Sequence, residues 1–339
     1  MADIKTPSPP SAFSPRTPTY AQRTRLPHRD RRRPGLPHAP FSGRVYSRDP
    51  KMRIAVRDTH LFFDVEGAKL EPHGPEMREK PTLILLHGGP GFDHSGFKPD
   101  FSGLADIAQV IYLDHRGNGR SDRDSPERWN LDDWADDLRA FCDALEIEKP
   151  IVLGQSFGGM VAMAYAIRHP DHAGGLILSS TSARMRLDRM LEVFERRGGT
   201  EARNAAEAYW TNPGRKTLPD YARICLPLYN LKPRPPEADK RTVYNFDVMF
   251  HFGQEKEGTM NLLPGLAGVR AQTLVLAGEE DPVTPLGDSR DIAAAITPDL
   301  VELRAFADCG HGVFRDDPDA GFAAIRNFVE GMVEADKGR

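Results

Sequence analysis

Three residues spread along the chain have side chains that could together break an acyl bond: Ser156, Asp281 and His311. A serine hydroxyl is a weak nucleophile until a base removes its proton. An imidazole can be that base, provided that a carboxylate fixes its tautomer and stabilises the imidazolium. Ser156 stands in Gly154-Gln155-Ser156-Phe157-Gly158, with the β-branched run Ile151-Val152-Leu153 before it and a small-residue run after it. That pattern reads as strand, sharp turn, helix, with the hydroxyl lifted clear of a sheet. Asp281 follows the apolar run Thr273–Ala277, and His311 follows the run Val301–Phe306, flanked by Gly310 and Gly312. The order Ser, Asp, His is the one that accompanies such a turn. Attack on an acyl carbon leaves an oxyanion that needs two donors. One would be the Phe157 N–H beside the nucleophile. The other would be the Gly89 N–H in His87-Gly88-Gly89-Pro90-Gly91, after the apolar run Thr82–Leu86. Gly88 lacks a side chain and would let a substrate approach the backbone, so it is read as a substrate contact.

The elements that must carry these residues alternate. Two strands, 53–58 and 60–65, open the pattern as a hairpin, and a polar loop is expected to run to about Lys80. Continuous apolar runs at 82–86, 109–113, 151–153 and 176–178 read as strands buried on both faces. Leu131, Trp134, Leu138, Phe141 and Leu145 recur at helical spacing. The rhythm stops between about 182 and 266, where amphipathic pieces carry many aromatics, and resumes at 273–277, 288–296, 301–306 and 318–335. The expected architecture is α/β, a mostly parallel twisted sheet with helices on both faces. The expected organisation is an Arg/Pro-rich extension at 1–51, a core at 52–181 and 267–339, and an inserted helical cap at 182–266.

Composition narrows the function. Residues 1–51 carry eleven Lys/Arg against three Asp, and the whole 339-residue chain has a net charge of −4, so the remainder is strongly acidic. An acidic body argues against nucleic-acid binding. The first forty residues hold nine prolines and seven arginines and read as disordered; a natural start at Met52 is the alternative. Three cysteines without ligand spacing point to a reducing, cytoplasmic setting. No apolar run approaches the roughly 18 residues of a membrane span. A phosphate-binding loop is excluded, because no Gly-Lys-Ser/Thr follows the glycines at 88–91. No metal or organic cofactor is required, and the partner expected is a small-molecule or short-peptide substrate.

Together, His87-Gly88-Gly89-Pro90-Gly91, Asp114-His115-Arg116-Gly117-Asn118-Gly119-Arg120-Ser121 and Gly154-Gln155-Ser156-Phe157-Gly158-Gly159 resemble the α/β-hydrolase superfamily. Within it they resemble the proline iminopeptidase group of serine peptidases, over roughly residues 52–335. The resemblance implies a Ser156/Asp281/His311 triad and a helical cap above the pocket. Two departures stand out. His115 replaces the Gln common in the second motif, where Asp114 and Arg116 are expected to pin the loop through a charge-assisted bond. The prolyl enzymes hold the substrate ammonium with cap glutamates, one in a Trp-Glu pair, whereas here Trp210 precedes Thr211. Trp210 is retained as a substrate contact, with Glu192, Glu195, Glu201 and Glu207 as available acids. The readings carried forward are an aminopeptidase, a carboxylesterase or lactonase, and a non-catalytic small-molecule binder on the same fold.

Overall fold

The computed structural model describes residues 52–337 apart from Arg234 and Lys256, so the Arg/Pro-rich extension expected at 1–51 lies outside the described residues. The chain opens with β1 (Arg53–Val56) and β2 (Thr59–Glu66), then a separate two-stranded hairpin of β3 (Leu70–His73) and β4 (Glu76–Glu79). The polar loop expected there is therefore a hairpin. Its residues are largely exposed, so no apolar alternation announces it.

Next come β5 (Thr82–Leu86), β6 (Gln109–Leu113), α1 (Leu131–Ala144), β7 (Ile151–Gln155), α2 (Phe157–Arg168) and β8 (Gly175–Ser179). A run of helices follows: α3 (Leu187–Thr211), α4 (Leu218–Ile224), α5 (Pro236–Arg241), α6 (Phe246–Glu255) and α7 (Leu263–Leu266). The chain closes with β9 (Gln272–Gly278), α8 (Leu286–Ala295), β10 (Val301–Phe306), α9 (Val313–Asp316) and α10 (Pro318–Lys337).

Eight strands form one sheet in the order β1-β2-β6-β5-β7-β8-β9-β10. The pairs β1–β2 and β2–β6 are antiparallel, and every pair from β6 to β10 is parallel. This is the α/β architecture expected from the sequence. Alternation along β5 divides the core between the two faces of the sheet. Ile84 and Leu86 join Trp134, Phe141, Met160 and Tyr165 of α1 and α2, while Leu83 and Leu85 join Phe101, Ile325 and Val329. Asn130 starts α1 by accepting the Asp133 N–H at 2.9 Å, a standard N-cap. The long α3 is broken at Gly199, whose φ is +70°. Its inward residues Met190, Phe194, Ala206 and Tyr209 form a third apolar cluster with Tyr221, Cys225 and Val283. Val283 lies two residues after Asp281, so this cluster abuts the loop that follows β9.

Candidate active site

β7 ends at Gln155 and α2 begins at Phe157, leaving Ser156 as the turn between them with φ 54° and ψ −121°. A non-glycine residue with positive φ is strained and persists only where its surroundings hold it. Here the Ser156 N–H donates to the Ser179 carbonyl at 3.0 Å, and the Ser156 carbonyl accepts from Thr181 Oγ1 at 2.7 Å. The glycines of the motif are dictated by space. A side chain at Gly154 would strike the backbone of Gly158 and Gly159, and one at Gly158 would strike the carbonyls of Leu86 and His87.

Asp281 and His311 come from adjacent strand ends, β9 and β10, whose last residues Gly278 and Phe306 are register partners. Asp281 is fully buried. Its Oδ1 accepts from the N–H groups of Val283 (2.8 Å) and Thr284 (3.0 Å), and its Oδ2 from Thr284 Oγ1 (2.8 Å). His311 Nδ1 lies 2.8 Å from Asp281 Oδ2, and His311 Nε2 lies 3.0 Å from Ser156 Oγ. With Nδ1 donating to the carboxylate, Nε2 is left as the acceptor for the serine hydroxyl. The His311 carbonyl accepts from Gln155 Nε2 at 2.9 Å, so the loop is tied to the residue preceding Ser156.

The loop after β5 lies against Ser156. A Cβ added to Gly88 would stand 3.4 Å from Ser156 Cβ. Gly89, with φ +128°, turns the chain there. Among the described residues its N–H has no acceptor, and the Phe157 N–H, in the first turn of α2, has no intrahelical one. Beneath the loop, His87 Nδ1 is 2.7 Å from the Gly88 carbonyl, and His87 Nε2 accepts the His115 N–H at 3.3 Å. A backbone N–H can only donate, so Nε2 is bare and His87 is the neutral Nδ1–H tautomer. Burial drives the pKa of both His87 and His115 down, keeping the two contacting rings uncharged.

Asp114 and Arg116 do pin the second motif by charge-assisted bonds, each to its own set of partners. Asp114 accepts from His94 Nδ1 (2.7 Å), His94 N–H (2.9 Å) and Arg120 N–H (2.8 Å). Burial pushes its carboxyl up, yet His94 outweighs this and holds it down at about 2. Arg116, with no exposed surface, forks onto Asp137 at 2.6 and 2.7 Å and also reaches Asp58 and Asp124. The helical segment touches this frame too: Asn245 donates its N–H to the Gly91 carbonyl and its Nδ2 to the Gly117 carbonyl, both at 2.7 Å.

Trp210 spends its ring N–H on Tyr221 Oη at 3.0 Å. Tyr221 Oη lies 2.6 Å from Tyr229 Oη, and the Tyr229 ring packs edge-on against His311 with centroids 5.3 Å apart. Trp210 therefore reaches the histidine through two tyrosines. Sequence reasoning missed Tyr229, Thr284 and Gln155 as supports of the site. Gln155 alone carried a signal, as the variable position of the serine motif. Glu192, Glu195, Glu201 and Glu207 are all exposed, with Glu195 facing Arg203 and Glu201 facing Arg223. Each buried carboxylate among the described residues (Asp93, Asp114, Asp137, Asp281, Asp288 and Asp316) already holds at least one protein donor, although Asp288 takes its donor, Arg189, on Oδ1 and leaves Oδ2 without a hydrogen-bond partner. No group of three or more His, Cys, Asp or Glu among the described residues is placed to hold a metal ion, and no described helix is long and apolar enough to cross a membrane.

Residues 81–318, more than half of the chain, match the family model described as the alpha/beta hydrolase fold. The proline iminopeptidase PfmaB of Pestalotiopsis fici is 29% identical over 283 residues, spanning 79% of this chain and 99% of that protein. A 2-hydroxymuconate semialdehyde hydrolase of a Pseudomonas species is 31% identical over 240 residues, spanning 68% of this chain and 80% of that protein. The crystal structure of a proline iminopeptidase from Mycobacterium smegmatis superposes with a TM-score of 0.67 at 24% identity, covering 84% of this chain and 98% of that one. The chain belongs to the α/β-hydrolase family of enzymes and resembles, within it, the proline iminopeptidase group.

Proposed function

We propose that this protein is a serine hydrolase that forms an acyl-enzyme at Ser156, with His311 as base and acid, Asp281 as its orienting carboxylate, and the N–H groups of Phe157 and Gly89 as oxyanion donors. The observation that carries the reading is the continuous contact from Asp281 Oδ2 through His311 to Ser156 Oγ, at 2.8 and 3.0 Å. His311 Nε2 takes the hydroxyl proton as Oγ attacks the acyl carbon, then returns it to the leaving group. Water repeats the sequence in reverse to free the acid. The helices between β8 and β9 act as the cap, with Trp210 as its contact to the substrate, and Gly88 of the loop after β5 is the substrate contact on the core side. The partner is a small acyl compound or a short peptide.

Of the two substrate classes, esters or lactones stand first. An aminopeptidase needs a carboxylate for the substrate ammonium, whereas Glu192, Glu195, Glu201 and Glu207 are exposed and each buried carboxylate already holds a protein donor, Asp288 through its ion pair with Arg189. The N-terminal peptidase reading rests on the motifs at 87–91 and 114–121 and on relatives named proline iminopeptidase. The deciding experiment compares a short-chain p-nitrophenyl ester with prolyl-aminomethylcoumarin, each with purified enzyme. Ester cleavage with little amide cleavage is expected. Efficient amide cleavage that vanishes when the amine is acetylated would reverse the order.

A further inference from the structure

Resting on the triad reading above, we propose that Asp316 is a positioning residue that clasps the helical cap to the His311 loop, so that the alignment of the base depends on the cap segment 229–232. Asp316 is the last residue of α9, the single turn that follows His311, and is only 5% exposed. Its carboxylate gathers four N–H donors from two separate parts of the chain. From the histidine loop comes the Gly310 N–H at 2.8 Å. From the cap come the N–H groups of Leu231 (3.1 Å) and Lys232 (2.8 Å) and the Nδ2 of Asn230 (3.2 Å). A carboxylate is well suited to this, because hydrogen bonds to an ionised acceptor are the stronger kind. Arg315 adds a bond from the other direction, donating to Asn230 Oδ1 at 2.7 Å.

The clasp acts on the base directly. The residue before the clasped run, Tyr229, accepts the His311 N–H at 2.6 Å through its carbonyl and packs its ring edge-on against the imidazole. His311 is thus held at both backbone and ring by a residue whose next three neighbours, Asn230, Leu231 and Lys232, are anchored by Asp316. The flanking glycines fit this account. Neither has a positive φ; a side chain at Gly310 would strike the Tyr229 carbonyl, and one at Gly312 would lie 3.1 Å from Asn230 Nδ2. They are small because the cap segment presses on the loop, not because the loop must turn sharply.

The test uses the full chain with Asp316→Asn, of nearly equal volume, and Asp316→Glu, which keeps the charge. An asparagine sets an NH2 against backbone donors, so part of the clasp opens. Misplacing a catalytic group by about 1 Å costs roughly a hundredfold in rate. Expected for Asp316→Asn is a kcat lower by roughly tenfold to a hundredfold with KM little changed, and a matching slowing of inactivation by a fluorophosphonate, which reports serine attack alone. Asp316→Glu should recover a substantial part of the loss. A folded Asp316→Asn enzyme with wild-type kcat and inactivation rate overturns the proposal. If that variant does not fold, Asn230→Ala, which removes one donor and the Arg315 acceptor from the cap side, serves instead: lowered kcat at unchanged KM is expected, and wild-type kcat overturns it. A Ser156→Ala control that stays active would instead defeat the triad reading on which this rests.

Discussion

Replacing Asp281 by Asn alters one atom's chemistry and almost none of the volume, and the surrounding bonds dictate which way the amide must face. Oδ1 accepts two backbone N–H groups, from Val283 and Thr284, at 2.8 and 3.0 Å. Those donors cannot face an NH2, so the amide oxygen must take the Oδ1 place and the nitrogen the Oδ2 place. Thr284 Oγ1 can rotate to accept from that nitrogen, and His311 Nδ1, 2.8 Å from it, is then pressed to become an acceptor at the expense of its longer 3.1 Å contact to the oxygen in the Oδ1 place. The ring proton moves to Nε2, the atom 3.0 Å from Ser156 Oγ, which can no longer receive the hydroxyl proton. In a serine protease the equivalent change costs about 10⁴ in kcat, or roughly 5 kcal/mol of barrier, with the geometry intact. The assay is steady-state hydrolysis of a p-nitrophenyl ester by Asp281→Asn, beside its melting temperature and circular dichroism. Native-like folding with kcat about four orders of magnitude lower is expected. A folded variant within tenfold of the wild type would refute the assignment of Asp281 and the tautomer argument together.

Other consequences follow from the frame around the site. Arg116→Met leaves the buried Asp137 with only its Arg57 contact at 3.0 Å, and breaking a buried ion pair typically costs 3–5 kcal/mol. A loss of about 3 kcal/mol in urea unfolding is expected, with Asp137→Leu on top restoring part of it. His87 and His115 are neutral in the folded protein with lowered pKa values, so the unfolded chain takes up their protons more readily. Their contribution is fully present above the unfolded pKa of about 6.5 and is lost as pH falls below it. Melting curves from pH 8 to pH 5 should therefore fall less steeply in His115→Gln than in the wild type; identical slopes would contradict the buried neutral pair.

The parts legible in the sequence are those set by short-range rules. Ile151–Leu153, the serine and its glycines lie within a few residues of one another, so strand, turn and helix follow from local pattern and local space. Asp281 and His311 were legible because each directly follows an apolar run, and parallel strands bring such ends together. The supports were not legible. Tyr229 meets His311 across 82 positions of chain, through irregular helices whose order carries no pairing rule. Asp114 and Arg116 are close in sequence, yet burial sends one to His94 and the other to Asp137, a choice that only the packed loop determines. The β3–β4 hairpin escaped because neither of its faces is buried. The acids on α3 are available as ammonium ligands by residue type alone, and the orientation of the helix, which leaves them exposed, is not written in that pattern.

The central claim is that Ser156 is the nucleophile, and the most direct measurement is the kcat of Ser156→Ala against the wild type on one ester, with equal folding shown by their melting curves. The account predicts a loss on the order of a million-fold, as for removal of a triad serine elsewhere, together with no covalent adduct on the variant after fluorophosphonate treatment. Turnover by the folded variant within about a hundredfold of the wild type would mean that the acyl-enzyme at Ser156 does not carry the reaction.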